Sequence, residues 1–202
     1  MRSYHQFQKR RTEVLIRRRT EHLQDIMRDA SGKWSYQGDW MACTLPEEAR
    51  RRVTAALWCL LAGAAVCCLI SGCIRATGME GCFYVLIPYA SCVFAAYFCI
   101  RCLAGVSAGK GRLEEYRYRK HMRRLGPCAV WGFVSGLLCV IGRTGEAVFA
   151  GGLALPGVEG SLRGGILFMA LQTAAAVLFL AAWHLQRGMK WKNIGAQEAQ
   201  TV

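Results

Sequence analysis

The chain has 202 residues, of which 53% are hydrophobic, and it carries 26 Lys and Arg residues against 13 Asp and Glu residues. Counted with glycine and without tyrosine, the apolar share is about 60%, whereas soluble domains have roughly 45–50%. This composition excludes a disordered tail, a secreted disulfide mini-protein and an ordinary soluble enzyme. Because the chain is apolar and strongly basic at once, the two properties must lie in separate segments.

Four segments lack Asp, Glu, Lys and Arg, and each reaches the length of about 18 residues that a membrane-spanning helix needs. The segments are 53–74, 82–100, 125–142 and 164–186. We therefore expect an all-α, polytopic membrane protein with four transmembrane helices. In this division, residues 1–52 form a basic amphipathic and interfacial region, residues 53–186 form a four-helix bundle, and residues 187–202 form a tail.

The basic residues outside the spans predict the orientation of the chain, because Lys and Arg resist translocation. Residues 1–52, 101–124 and 187–202 together hold 23 Lys and Arg residues, whereas the links 75–81 and 143–163 hold three. We therefore expect the protein to lie in the cell membrane with both termini in the cytoplasm. The first 52 residues lack the apolar core of a signal peptide, so we expect the first span to remain as an uncleaved anchor.

Residues 4–30 place apolar residues among arginines, and Gly32 follows as a helix stop, which predicts a basic amphipathic helix at the N-terminus. Such a helix either lies on anionic headgroups, where each nearby Lys or Arg contributes about 1 kcal/mol, or packs on a protein partner or on the bundle. The sequence leaves both open. The residues expected to contact anionic lipid are Arg10, Arg11, Arg17, Arg18, Arg19, Arg123 and Arg124.

Three features flank the spans. The aromatic cluster of Trp34, Tyr36 and Trp40 indicates an interfacial loop, in preference to a stacking platform for nucleic acid. Thr44 and Glu47 have the spacing of a capping box, so the first helix should begin near residue 45. A second basic helix is expected over 112–125, followed by a bend at the Gly-Pro step of residues 126–127. The Pro-Gly step at residues 156–157 predicts a non-spanning link at the outer interface.

Eleven cysteines are present, but all except Cys43 and Cys102 fall within the bounds of the spans, where cysteine acts as a small apolar residue. Cys99 and Cys102 form a single CxxC motif with no second pair to complete four zinc ligands. We therefore expect no metal and no cofactor. Cys73 and Cys82 flank the first outer turn, and a structural disulfide between them is one alternative.

The spans contain no ionisable Asp, Glu, Lys or Arg side chain, which disfavours an ion-coupled carrier. Gln172, Thr173 and Ser135 are the candidates for an intramembrane polar contact. For Gln172 we expect a hydrogen bond between helices, worth about 0.6 kcal/mol, with a substrate contact as the alternative. Small residues such as Gly132 and Gly136 recur at helical spacing and favour close helix packing within a bundle or an oligomer.

No paired carboxylates or nucleophile-and-base set emerges, so an enzyme is the least favoured class and no catalytic residue is predicted. The sequence leaves the biochemical activity open. It favours a membrane-embedded accessory or scaffold subunit, with a small oligomeric transporter or channel as the alternative. The expected partners are anionic lipid headgroups, a membrane protein or a second copy of the chain, and nucleic acid is not expected.

Overall fold

The computed structural model describes residues 26–28, 34–36, 38–74, 83–109, 112–149 and 159–194. These residues are mostly helical, and four helices are long and apolar enough to span a membrane. The prediction of a multi-pass helical protein is therefore confirmed. The all-α description is incomplete, because the described residues also form five strands of three or four residues.

Three of the long helices are continuous α-helices. Helix α1 covers Glu47–Cys73, α2 covers Phe83–Ser107 and α4 covers Glu159–Arg187. Each is longer than its charge-free segment, because helical hydrogen bonding continues into flanking residues whose charged side chains reach beyond the hydrocarbon. Since α4 starts at Glu159, the predicted outer link 143–163 is partly helical, and its Pro-Gly step lies outside the described residues.

The third helix, α3, has three consecutive parts. A short α-helical turn, Glu115–Arg117, leads into a π-helical turn, Tyr118–Met122, and then into a long α-helical part, Arg123–Phe149. The predicted second basic helix and the third span are therefore one helix. Residues 112–114, which were also predicted to be helical, form a strand instead. Pro127 lies inside the long part, so the Gly-Pro step does not end the helix.

The four helices form a bundle in which each packs against two others. Helix α2 packs against α1 and α3, and α4 packs against α3 and α1. Gly132 of α3 lies against the ring of Phe179 of α4, and Gly136 lies against Ala176. Large apolar side chains face outward, as at Ile87, which is 65% exposed. Small residues inside and large apolar residues outside are expected for helices that associate in lipid.

Three strands from distant parts of the chain form an antiparallel sheet at one end of the bundle. Strand β3, Trp40–Cys43, lies in the centre, between β4, Arg112–Glu114, and β5, Trp191–Ile194. These strands precede α1, connect α2 to α3 and follow α4. The sheet therefore gathers the start of α1, the end of α2, the start of α3 and the end of α4. Leu113 and Met189 are buried in the main core, so the sheet packs on the bundle.

The N-terminal region differs from its prediction. Strand β1, Ile26–Arg28, pairs in antiparallel fashion with β2, Trp34–Tyr36. Residues 26–28 of the predicted amphipathic helix over 4–30 thus form a strand, and the rest of it, residues 4–25, 29 and 30, lies outside the described residues, so the helix stays a prediction there. The expected interfacial loop contains β2 and the start of β3. Five residues separate β1 from β2, a spacing that a hairpin connection allows.

The predicted capping box is wrong. Helix α1 begins at Glu47 after Pro46, and no side chain caps this terminus. The backbone N–H of Thr44 donates to the carbonyl oxygen of Lys190 over 3.0 Å, and the Thr44 hydroxyl donates to the same oxygen over 3.1 Å. Thr44 thus continues the backbone pairing between β3 and β5, so its hydroxyl is not directed toward the start of the helix.

Candidate functional site

The end of the bundle that carries the sheet, which we call the basic end, gathers nearly all cationic side chains that the structure describes. At the opposite end, Arg143 is the only Lys or Arg whose side chain belongs to the described part of the chain. The cationic residues at the basic end are Arg50, Arg51, Arg52, Arg101, Arg112, Arg117, Arg119, Lys120, Arg123, Arg124, Arg187, Lys190 and Lys192.

A cleft of about 860 Å³ lies at the basic end, between the start of α1, the end of α2 and the sheet. Three arginines line it: Arg50 and Arg51 from α1, and Arg112 from β4. Glu47 also lines it, so these four residues have a formal charge of +2. The remaining lining is Ala42, Cys43, Thr54, Ala55, Trp58, Val106, Ser107, Met189 and Trp191. The cleft thus combines cationic groups with an apolar and aromatic wall.

The acidic residue in this cleft has a partner inside it. A carboxylate oxygen of Glu47 lies 2.6 Å from a guanidinium nitrogen of Arg51, one helical turn away. The side chains of Glu47 and Arg51 are 63% and 77% exposed, and pairs this exposed contribute about 0–1 kcal/mol. The pair is therefore weak enough for Arg51 to exchange Glu47 for another anion.

Trp58 and Trp191 both line the cleft, and their indole N–H groups have different surroundings. The Trp58 N–H donates to the Ser107 hydroxyl over 3.1 Å, which joins α1 to α2. The Trp191 N–H is buried and has no acceptor among the described residues. The Trp191 ring itself is held by Tyr118, with ring centroids 5.5 Å apart. The Trp191 N–H is therefore buried within the protein, and the donors that the lining of the cleft supplies are its three guanidinium groups.

A second group of polar residues, the polar cluster, lies in the other half of the bundle. It comprises Gln172 of α4, Ser71 and Cys68 of α1, and Tyr89 of α2. The Gln172 amide donates to the Ser71 hydroxyl over 2.6 Å, and that hydroxyl donates to the Cys68 carbonyl over 2.8 Å. The Tyr89 hydroxyl donates to the same carbonyl over 2.9 Å. The cluster therefore joins three helices.

The polar cluster is closely packed. Gln172 and Ser71 are both 0% exposed, and Ser71 lies in the last turn of α1, far from the basic end. The Gln172 carbonyl oxygen has no donor among the described residues. An unpaired buried acceptor of this kind costs about 1–3 kcal/mol. The polar cluster thus joins the helices, and the Gln172 carbonyl oxygen is its one acceptor without a donor among the described residues.

Two buried thiols adjoin the polar cluster. The sulfur atoms of Cys68 and Cys92 lie 3.5 Å apart, and Cys92 also contacts the carbonyl oxygen of Gly132 on α3. These thiols therefore make weak polar contacts between helices as well as filling space. In the part of the chain that the structure describes, no group of three or more His, Cys, Asp or Glu side chains is arranged to hold a metal ion.

The predicted site residues lie apart from one another. The Thr173 hydroxyl donates to the carbonyl of Met169 in its own helix over 2.8 Å and is exposed, whereas Ser135 is buried in α3. The partner of Gln172 is Ser71 of α1. Of the predicted lipid contacts, Arg123 and Arg124 are exposed at the basic end.

The other predicted site residues are only partly described. The five arginines expected to contact lipid between residues 10 and 19 lie outside the described residues. Cys73 is exposed at the end of α1, and Cys82 also lies outside the described residues, so their disulfide stays a prediction.

The cleft is not predicted by the sequence. The arginines before the first span are visible in the sequence, and so is Trp191. Their approach to Arg112 depends on the pairing of β3 with β4 and β5, which lie about 70 and 150 residues further along the chain. Pairings at such separations leave no local signal, because each strand has only three or four residues.

No protein-family model, curated protein or solved structure matches the chain. Its function is therefore inferred from the geometry alone.

Proposed function

We propose that this chain is a multi-pass protein of the cell membrane that acts as an accessory or scaffold subunit, with its basic end in the cytoplasm. The observation that carries the proposal is the three-stranded sheet. It fixes three separate chain segments in one surface at the basic end. A positively charged surface of fixed geometry is suited to holding an anionic partner, whereas unconnected basic loops provide only general attraction to the membrane.

The packing of the bundle favours this role over the alternative of a small oligomeric transporter. Gln172, the amide that would line a pathway, is fully buried and hydrogen-bonded to Ser71. A transport site needs polar groups that a substrate can reach. The described parts of the four helices offer the Gln172 side chain no such access, since its neighbours are packed around it.

Orientation is tested by labelling single cysteines introduced into a cysteine-depleted chain. Gly109, which follows α2 at the basic end, should be labelled only after permeabilisation, and Gly78, in the opposite link, should be labelled from outside. These outcomes follow if the Lys and Arg residues keep the basic end in the cytoplasm. Labelling of Gly109 in intact cells would reverse the proposed orientation.

The scaffold role is tested by two measurements on the full chain. We expect purified protein in vesicles to show no flux above that of empty vesicles for a panel of ions and small solutes. Mild extraction of native membranes should recover the chain with a stoichiometric protein partner. Solute flux by the purified chain alone would favour the transporter and contradict the scaffold role.

A further inference from the structure

We propose that the cleft at the basic end is a binding site for the headgroup of an anionic phospholipid, in which Arg50, Arg51 and Arg112 hold the phosphate. This inference deepens the proposed function by naming a ligand for the basic end, and it rests on that function in placing this end at a membrane surface. The site differs from the arginine clusters that the sequence predicts to contact lipid.

The arginine side chains that line the cleft favour an anion with several acceptor oxygens. A guanidinium group presents its N–H donors in a planar fork that matches phosphate, and three such groups converge here from α1 and β4. A phosphate ester in the cleft offers several acceptor oxygens to the guanidinium groups that line it.

The position of the cleft along α1 favours an amphipathic anion as its ligand. Its lining follows α1 from Glu47 to Trp58, eleven residues that span about 16 Å of helix. Arg50 and Arg51 lie just before the charge-free segment that starts at Val53, whereas Trp58 lies inside it. The arginines therefore lie at headgroup depth and the aromatic wall lies in the outer hydrocarbon. A phospholipid matches this gradient with its phosphate at the arginines and its acyl chains beside α1.

The size of the cleft also favours a lipid headgroup over free phosphate. Sites for drug-sized ligands measure about 300–1,000 Å³, and this cleft of about 860 Å³ falls in that range. An inorganic phosphate ion would contact the arginines and leave the wall formed by Trp58, Val106 and Met189 without a ligand. A headgroup with its glycerol and upper acyl chains fills both parts.

The test measures binding by the full chain, purified in a neutral detergent. A short-chain phosphatidic acid, a short-chain phosphatidylcholine and inorganic phosphate are titrated separately, with bound ligand counted by native mass spectrometry. We expect tight binding of phosphatidic acid, weak binding of phosphatidylcholine and little displacement of the lipid by millimolar phosphate. Arg50→Gln and Arg112→Gln should each weaken binding of phosphatidic acid about tenfold, the loss expected for one charge-assisted hydrogen bond.

Matched variants distinguish binding in the cleft from a general effect of positive charge. Arg52→Gln removes an equal charge from the next residue of α1, which does not line the cleft, and should leave the affinity within twofold. Arg50→Lys keeps the charge but loses the fork, so it should fall between the wild type and Arg50→Gln. Trp58→Phe should leave the affinity within twofold, because the Trp58 N–H already has an acceptor in Ser107.

The outcomes decide between the sources of the anion. An equal loss in Arg52→Gln and Arg50→Gln would overturn the site in favour of general charge. Complete displacement of the lipid by millimolar inorganic phosphate would overturn the lipid and leave a site for free phosphate. Neither result bears on the scaffold role, which fails only if the purified chain carries flux, so failure of the lipid site and failure of the proposed function are distinguishable.

Discussion

The polar groups at the two ends of this bundle are arranged in opposite ways. In the polar cluster, side chains from three helices bond to one another, and both members of the Gln172–Ser71 bond are fully buried. At the basic end, Arg50, Arg51 and Arg112 line an open cleft beside an indole N–H that has no acceptor among the described residues. The first arrangement satisfies donors within the protein, and the second presents donors to something outside it.

This difference indicates where function and stability reside. Buried polar groups that bond to each other fix the relative positions of helices, because any displacement would leave a polar group unpaired in hydrocarbon. Side chains that line an open cleft contribute less to the fold and can be contacted by a ligand. Substitutions in the polar cluster should therefore change stability without affecting lipid binding, and substitutions in the cleft should do the reverse.

The largest effect on binding is expected from Met41→Pro in the central strand β3. Proline cannot donate a backbone hydrogen bond to the sheet, so the sheet should separate and Arg112 should leave the cleft. We expect binding of phosphatidic acid to fall to background while the helical content by circular dichroism stays within a few per cent. Met41→Val, which keeps the N–H and suits a strand, is the control. A collapse of helical content would show that the sheet holds the bundle itself.

The next largest effect concerns helix packing between the two ends. A methyl group at Gly132 would lie 2.9 Å from the ring of Phe179, which is fully buried. Gly132→Ala should therefore destabilise the bundle by about 1–3 kcal/mol, measured as the free energy of unfolding in mixed micelles, and leave the lipid affinity unchanged.

Gly145→Ala in the same helix is the control, since no atom of the described residues lies within 4 Å of the added methyl group. It should be neutral or stabilise the helix by up to about 1 kcal/mol. Equal destabilisation by the two substitutions would mean that the contact between α3 and α4 is looser than Gly132 indicates.

The third effect is the coupling between Ser71 and Gln172. Ser71→Ala leaves the buried amide without its acceptor and should cost about 1–2 kcal/mol. Gln172→Leu loses the same bond but also removes the unpaired carbonyl oxygen, so its cost should stay below about 1 kcal/mol. A double-mutant cycle should give a coupling of about 0.6–1.7 kcal/mol. A coupling near zero, or unchanged stability with altered solute flux, would assign Gln172 to a pathway.

The contrast also explains what the sequence could predict. Span positions follow from runs of residues without charge, a local property, and the described residues of the four predicted segments all lie in helices except Ile74. The importance of Gln172 was visible for the same reason, because an amide is conspicuous inside an apolar run. Its partner Ser71 was not, because 101 residues separate the two and only the packing of α1 against α4 brings them together.

The sequence predicts the positive charge of the basic end but not the pairing of its strands. Counting Lys and Arg residues finds which segments share a side, but the count says nothing about pairing between them. Thr44 shows the failure most clearly, since its spacing from Glu47 fits a capping box and yet its hydroxyl donates to Lys190, 146 residues away. Strands of three or four residues are too short for an alternating pattern to identify.

The smallest effect is expected at Thr173, which the sequence grouped with Gln172. The Thr173 side chain is exposed on the outer face of α4, and its hydroxyl donates to the Met169 carbonyl one turn earlier. Thr173→Val keeps the shape and removes a bond that the helix does not need, so the free energy of unfolding should change by less than about 0.5 kcal/mol. This prediction holds only if the outer face of α4 meets lipid. If copies of the chain associate through that face, the hydroxyl would be buried between them, and Thr173→Val should then lower both stability and the oligomer size measured by size exclusion at two protein concentrations. A change above 1 kcal/mol together with a smaller particle would therefore make this face an interface between copies, whereas an unchanged profile leaves the contacts within one bundle as those that determine stability.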